Sequence, residues 1–382
     1  MKIAIVVKEH IAAKGGLERY AVTLSRGLAS RGHEVHVYAN RWDLDDSLIF
    51  HYVPYIRWLS VLKVLTFPAN ARKHLKKDSF DLVYSLTPLY PVDIYRVGEG
   101  IHADVLRARF PGSLKRFLKL LNPKHRLILR IERKLFSPGN FRAIITNSKS
   151  VKERLSAVYN VPSARVSVIY NGYDDKLFNP DKKTFSAVVR KANGIKADEK
   201  VILFAANDFK RKGLGFLLEA LSLLAKRGVL PKLLVVGADR VEPYKREAEK
   251  LGIAARVAFA GHVPDIERYY GASDIFVLPT LYDPFSNACL EAFGTGVPVI
   301  TTAQNGFSEL IEDGSNGFVL DDAGNTTILA DRIEGLLDMP EAGERALNRA
   351  RSLTIERNIS KTLGLCTSLN TSRKVIPLRA NK

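Results

Sequence analysis

Short runs of β-branched and aliphatic residues recur along this chain at helix-length intervals, in two separate series, and a parallel sheet with crossover helices is the fold that uses such a rhythm. In the first half the expected strands are Ile3–Val7, Glu34–Tyr38, Asp81–Tyr84 and Ala143–Thr146, with a helix from about Leu17 to Arg31 ended by Gly32. A second series opens after Asn171-Gly172, with strands at Val201–Ala205, Lys232–Val236, Val257–Ala260, Asp274–Leu278 and Val297–Thr301 and helices near 214–227, 242–251, 286–295 and 326–337. The pattern predicts an α/β protein of two Rossmann-like, doubly wound domains facing a central cleft. Its 382 residues exceed what one hydrophobic core usually serves. The hinge is expected in the strand and turn Val168–Asp174, before the polar, proline-containing Asn179–Lys183, which gives domains 1–170 and 171–354 and leaves about 355–382 to pack back on the first.

Composition narrows the class. Two cysteines, Cys289 and Cys366, allow at most one bridge in a chain too large to need it, so reduced thiols in a cytoplasmic protein are expected. The apolar run at the start, Ile3–Val7, is too short for a signal peptide and meets Lys8-Glu9 at once, and no uncharged stretch of about 18 apolar residues follows anywhere. Any membrane contact should therefore be peripheral. The net charge of +18 lies almost wholly in residues 1–170, which carry 29 Lys and Arg against 13 acids, a net +16 that predicts an anionic partner for that half.

Three stretches carry chemistry. Gly15-Gly16 follows the first strand and opens the first helix, where bare backbone amides and a helix start can meet a phosphate or sugar oxygen. Asn207-Asp208-Phe209-Lys210-Arg211-Lys212-Gly213 holds the corresponding place in the second series, with two cations suited to a diphosphate. Asp283-Pro284-Phe285-Ser286-Asn287-Ala288-Cys289-Leu290-Glu291 follows another strand and runs into a helix, so Asn287 and Ala288 should offer amides to a diphosphate, Glu291 should accept from ribose hydroxyls, and Asp283 should reach a sugar. For each there is a plainer reading, as turn chemistry, a solvated charge run or a helix-surface acid.

The stretch Tyr282–Ala292 resembles the acid-x7-Glu signature of family 4 glycosyltransferases, which have the GT-B fold and retain anomeric configuration. Further pieces stand in that family's order, among them Gly15-Gly16, Arg211-Lys212-Gly213, Val236-Gly237-Ala238-Asp239, Gly261-His262 and Gly294-Thr295-Gly296-Val297-Pro298-Val299, so the likeness spans nearly the whole chain and is strongest to the lipopolysaccharide core α-glucosyltransferases. The resemblance implies an acceptor-binding first domain and a second domain that binds a nucleotide sugar as substrate, UDP-glucose above others, with no other cofactor. It implies that Gly15 and Gly16 admit donor phosphate and sugar, Arg211 and Lys212 bind the diphosphate with Asn207 beside them, Gly261-His262 holds the base, Asp283 contacts the transferred sugar and Glu291 the ribose. The family usually has Glu where this chain has Asp283, and often Gly at Ser286.

Asp93–Asp104 reads as a loop in which glycines flank Glu99 and His102 stands close by, and either Glu99 or His102 is expected at the reaction centre. Leaving-group charge would be held electrostatically, without a strong protein base. Asp43-Leu44-Asp45-Asp46 superficially offers a D-x-D, but it stands too early and reads as a solvated loop, so no metal is expected. Residues 107–134 carry ten Lys or Arg against one acid, with apolar positions 114, 117, 118 and 121 spaced for one helix face and Lys115, Arg116 and Lys119 beside it. That pattern predicts contact with anionic lipid or a glycolipid acceptor at the inner membrane surface, although a helix packed on its own domain has the same pattern. Rival readings are a nucleotide-sugar 2-epimerase of the same fold, a scaffold that binds donor without turnover, and a nucleic-acid binder; the last suits poorly a basic segment rich in Leu and Ile rather than stacking aromatics.

Overall fold

The computed structural model describes residues 1–56, 58–110, 112, 119 and 121–371. The chain divides into two compact units, Met1–Tyr170 together with the chain from Glu356 onward, and Asn171–Ile355. Each unit is built on a wholly parallel main sheet.

The first unit contains β1 (Lys2–Val6), β2 (Glu9–His10), β3 (Glu34–Ala39), β4 (Arg41–Trp42), β5 (Ile49–Tyr52), β6 (Leu82–Ser85), β7 (Val92–Val97), β8 (Phe141–Thr146) and β9 (Val166–Val168). Seven of these form a sheet in the order β5-β3-β1-β6-β7-β8-β9, while β2 and β4 pair separately. The chain works outward from β1 to β5, then returns to the other side of β1. Its strand order therefore reverses between β1 and β6, the kind of place where an open α/β sheet leaves a crevice at its carboxyl edge. One face packs Ala4, Val6, Tyr38, Phe67 and Ile144, the other Ile3, Ile5, Leu24, Leu28 and Tyr84. Alternation of Ile3, Ala4, Ile5 and Val6 between the faces explains why this strand is apolar on both sides.

The second unit repeats the plan with β10 (Val201–Ala205), β11 (Lys232–Val236), β12 (Val257–Gly261), β13 (Ile275–Leu278), β14 (Val299–Thr302) and β15 (Gly317–Leu320), ordered β12-β11-β10-β13-β14-β15. Here the reversal falls between β10 and β13.

Two stretches depart from the reading of the sequence alone. Val92–Val97 is a strand rather than the start of a loop, and His102 opens the helix His102–Arg109, so Glu99 sits in the short connection between them. Helix Ser60–Leu75 runs through Pro68, whose ring obscured a helical pattern. Helix Ile355–Thr371 belongs to the first unit from Glu356 on, and Cys366 within it is wholly buried in that unit's core.

Candidate functional site

In the second unit, chemistry gathers at the carboxyl ends of β10 and β13, the two strands at the reversal. Asp208 caps a single helical turn, Phe209–Lys212: one carboxylate oxygen accepts the amide of Arg211 at 3.1 Å and the other accepts the Nε of the same residue at 3.1 Å. The guanidinium reaches on to the carbonyl of Tyr282 at 2.9 Å, and the amide of Leu281 returns to the carbonyl of Arg211 at 2.8 Å. Lys212 forms an ion pair with Asp283, and both side chains are about nine-tenths buried. These bonds stitch the loop after β10 to the loop after β13. The stitch needs Gly213, whose φ of +84° lies in the left-handed region and where a Cβ would stand 2.0 Å from the carbonyl oxygen of Pro279.

Helix Asn287–Gly294 starts four residues beyond Asp283. The hydroxyl of Ser286 accepts the amide of Cys289 at 3.4 Å, which caps the helix. The earlier amides, of Asn287 and Ala288, belong to the first turn, whose N–H groups have no acceptor inside the helix. Cys289, Leu290, Ala292 and Phe293 are buried, whereas Asn287, Ala288 and Glu291 are only half-buried, so one side of the helix remains open at its start. Glu291 accepts from the hydroxyl of Tyr270 at 3.2 Å, and the side-chain amide of Asn171 donates to Asn287 at 2.7 Å. Burial pushes the Cys289 thiol up to about 12, which keeps it an inert packing group.

The neighbouring loop joins this corner through Asn207, which accepts the amide of Ala238 at 3.1 Å, and through Asp239, which accepts the amide of Phe209 at 2.7 Å. Gly261 closes β12, and its carbonyl is taken by the amide of Gly237 at 2.8 Å, while His262 is exposed. Arg211, Lys212, Asp283 and the start of helix Asn287–Gly294 are thus joined directly, with Asn207 on the same loop and Gly261-His262 two strands away. Arranged so, two cations and a helix start favour an anion, and a carboxylate one turn along favours a hydroxyl-bearing group beside it.

Sequence reasoning missed Asn305, wholly buried, whose carbonyl oxygen accepts the amides of Ser286 at 3.2 Å and Phe307 at 3.1 Å and whose segment bridges to Asp283. Its only advance signal was position, just past β14.

The first unit holds the remaining expected residues. Gly15 and Gly16 begin helix Gly16–Ala29, with the carbonyl of Gly15 accepting the amide of Arg19 at 2.9 Å and Lys14 paired to Glu9. A cavity of about 470 Å³ opens at the carboxyl ends of β1, β6 and β7, and its polar lining includes Lys8, Lys63, Arg96, Glu99, His102 and Glu132 beside apolar residues such as Leu86 and Ile131. Burial, with Lys63 close by, lowers Lys8; burial, with Glu18 adding repulsion, raises Glu99. His102 is held at about 4 by burial and by His125, whose Nδ1 lies 2.9 Å from its Nε2, so its ring is neutral at neutral pH. Its backbone amide donates to Glu132 at 2.7 Å. Glu132 also accepts from Tyr159 at 2.6 Å, and burial pushes it up to about 6. Glu132 is the single acid in the basic stretch 107–134, and that isolation was the clue to its burial.

Positions 111, 113–118 and 120 of that stretch lie outside the described residues. Of the rest, Lys119 is exposed, and helix Pro123–Leu135 buries Ile131, Glu132 and Leu135 while Arg126, Arg130, Arg133 and Lys134 face solvent. Asp45 of the early acidic run accepts from Arg26 at 2.5 Å and from Ser47 at 2.6 Å. No helix among the described residues is long and apolar enough to cross a membrane.

Comparison with known proteins gives two family matches, Glycosyltransferase Family 4 over residues 14–177 and Glycosyl transferases group 1 over residues 186–353. The chain is 28% identical over 310 residues to the lipopolysaccharide glucosyltransferase WaaG of Escherichia coli K12, covering 80% of this chain and 82% of that protein. It is 27% identical over 319 residues to the lipopolysaccharide core biosynthesis glycosyltransferase LpsE of Rhizobium meliloti, covering 82% and 83%. Among solved structures, WaaG matches with a TM-score of 0.80 at 25% identity, over 96% of this chain and all of that one. With two doubly wound units, a family 4 domain in the first half and a group 1 domain in the second, the chain belongs to the GT-B glycosyltransferases.

Proposed function

We propose that this glycosyltransferase moves a hexose, glucose from UDP-glucose, onto a lipopolysaccharide-core or related glycolipid, with retention of anomeric configuration, at the inner face of a membrane. The observation that carries the reading is the direct linkage of Arg211 and Lys212 to the loop that leads into helix Asn287–Gly294. Two cations and first-turn amides on linked loops suit a pyrophosphate, and Glu291 suits the ribose of the same nucleotide. Asp283, now occupied by Lys212, would accept from a sugar hydroxyl once pyrophosphate draws the ammonium away. The base would meet the backbone at Gly261-His262. Glucose is favoured by the likeness to WaaG, and uridine by family resemblance alone.

In the reaction the bond from the anomeric carbon to the β-phosphate oxygen breaks as a bond to the acceptor oxygen forms on the same face. The acceptor's proton passes to the departing diphosphate, and Arg211, Lys212 and the amides of Asn287 and Ala288 hold the charge that builds there. For the acceptor, the cavity of the first unit offers Glu99 and His102. Glu99 is the better choice: the ring of His102 already bonds His125, whereas Glu99 has no hydrogen-bond partner among the described residues.

The basic stretch 107–134 would meet anionic headgroups, as the exposed Arg126, Arg130 and Arg133 suggest. The test is calorimetric titration with a panel of nucleotide sugars, followed by transfer assays on variants. Glu291→Ala should weaken donor binding about tenfold, the worth of hydrogen bonds to a charged group. Lys212→Ala should slow transfer by about 10² or more. Donor affinity and turnover unchanged in both variants would refute the site.

A further inference from the structure

Trp58 is 80% exposed and Leu59 44% exposed, immediately ahead of helix Ser60–Leu75, which itself leaves Leu65 42% exposed. Along this segment the charge has one sign: from Val53 to Lys77 the sequence contains Arg57 and Lys63 near the exposed residues, Arg72, Lys73, Lys76 and Lys77 at and beyond the far end of the helix, and not one acid. This helix lies beside helix Pro123–Leu135. Arg72 from the first and Lys134 from the second both sit over the ring of Tyr90, at 5.1 and 5.8 Å from its centroid. The two helices also wall the same cavity, Lys63, Val64 and Pro68 from one and Ile128, Ile131 and Glu132 from the other.

A bare indole with neighbouring leucines, on a segment that carries cations and no acid, suits the boundary of a lipid bilayer. The indole rests at headgroup depth, the aliphatic chains go below it, and the cations meet phosphate oxygens. A second copy of the chain would set like charges against each other across such a face, which disfavours self-association. We propose that Trp58, Leu59 and Leu65 form a second membrane contact, distinct from the basic helix and seated in the headgroup layer of an anionic bilayer. The inference rests on the membrane reading above. It gives the acceptor a route: an amphiphile anchored in the bilayer meets a cavity walled by the two helices that touch the lipid.

The test uses the full chain, whose only tryptophans are Trp42 and Trp58. In a Trp42→Phe variant, Trp58 emission should shift to the blue and be shielded from an aqueous quencher when phosphatidylglycerol vesicles are added, and phosphatidylcholine vesicles should do little. Trp42 stacks on Phe50 at 5.1 Å, so the difference spectrum between the unaltered chain and Trp58→Phe supplies the same signal should that variant fold poorly. Trp58→Ala should lower partitioning onto anionic vesicles about tenfold, which is about 1.4 kcal/mol. If Trp58 emission stays unmoved while an Arg126→Gln, Arg130→Gln, Arg133→Gln variant loses vesicle binding, the second contact is wrong and the basic-helix reading stands. Absence of any binding to anionic vesicles overturns both. A blue shift produced by raising protein concentration without lipid also overturns the proposal, in favour of self-association.

Discussion

Glu132 should destabilise this protein at neutral pH, and replacing it with glutamine should strengthen the fold. The residue is 9% exposed, and its carboxyl binds a proton up to about pH 6 against an ordinary 4.5, because burial disfavours the charged form. A carboxyl with a raised folded-state pKa contributes stability below about pH 4.5, and that contribution is lost as the pH climbs through 6. Spread over that interval at about 1.36 kcal/mol per pH unit, the loss amounts to about 2 kcal/mol above pH 7. In Glu132→Gln the amide oxygen can still accept from His102, and the Tyr159 hydroxyl can turn to accept from the amide nitrogen, so the bonds exchange at little cost. The variant should therefore be more stable by up to about 2 kcal/mol at pH 7.5 and converge with the unaltered chain near pH 4.5. His102, held at about 4 by burial, takes up its proton below this range in both folded proteins, and its contribution largely cancels in the difference. Because a chain of two units need not unfold in one step, the readout should be hydrogen exchange of amides in helix Pro123–Leu135 across the pH series. An offset that does not change with pH, or glutamine the weaker at pH 7.5, would refute the reasoning.

Other expectations concern the second unit. Gly213→Ala should cost at least about 2 kcal/mol and weaken donor binding, since its Cβ would meet the Pro279 carbonyl at 2.0 Å on a backbone that disfavours any side chain; an alanine variant with the unaltered melting temperature would contradict this. Ser286→Ala should cost about 1 kcal/mol through loss of the helix cap, visible in thermal unfolding, and a change within a few tenths would show that Asn305 alone holds the turn.

Much of this was legible because parallel sheets bury both faces of their strands, so Val201–Ala205 and Ile275–Leu278 stand out as apolar runs bounded by polar turns. The second-unit corner was readable for a related reason: Arg211, Lys212, Asp283 and Glu291 all follow such runs, at the edge where an open sheet gathers its polar loops. What stayed hidden depended on contacts between distant segments. Nothing local to Glu132 or His125 shows that they meet Tyr159 and His102, and Asn305 gives no sign that it organises the turn before Ser286. Val92–Val97 was misread because Asp93 and Arg96 interrupt its apolar pattern, although Asp93 is held by Arg142 at 3.0 Å and Arg96 stacks 3.9 Å from Tyr20.

The return of the chain to its first unit governs how the protein can be made. Cys366 sits in one core with Ile3, Ile5 and Leu28; Asn358 donates to the carbonyl of Tyr170 at 2.5 Å; and Arg142 donates to that of Leu369 at 2.5 Å. The amino-terminal sheet is thus translated before one of its covering helices, which follows only after the whole second unit, whereas Asn171–Ile355 is continuous and can close as soon as it emerges. Synthesis should therefore yield a finished second unit beside a first that still exposes apolar surface. A chain cut at residue 355 should aggregate through its older half, while an isolated 171–355 fragment should remain folded.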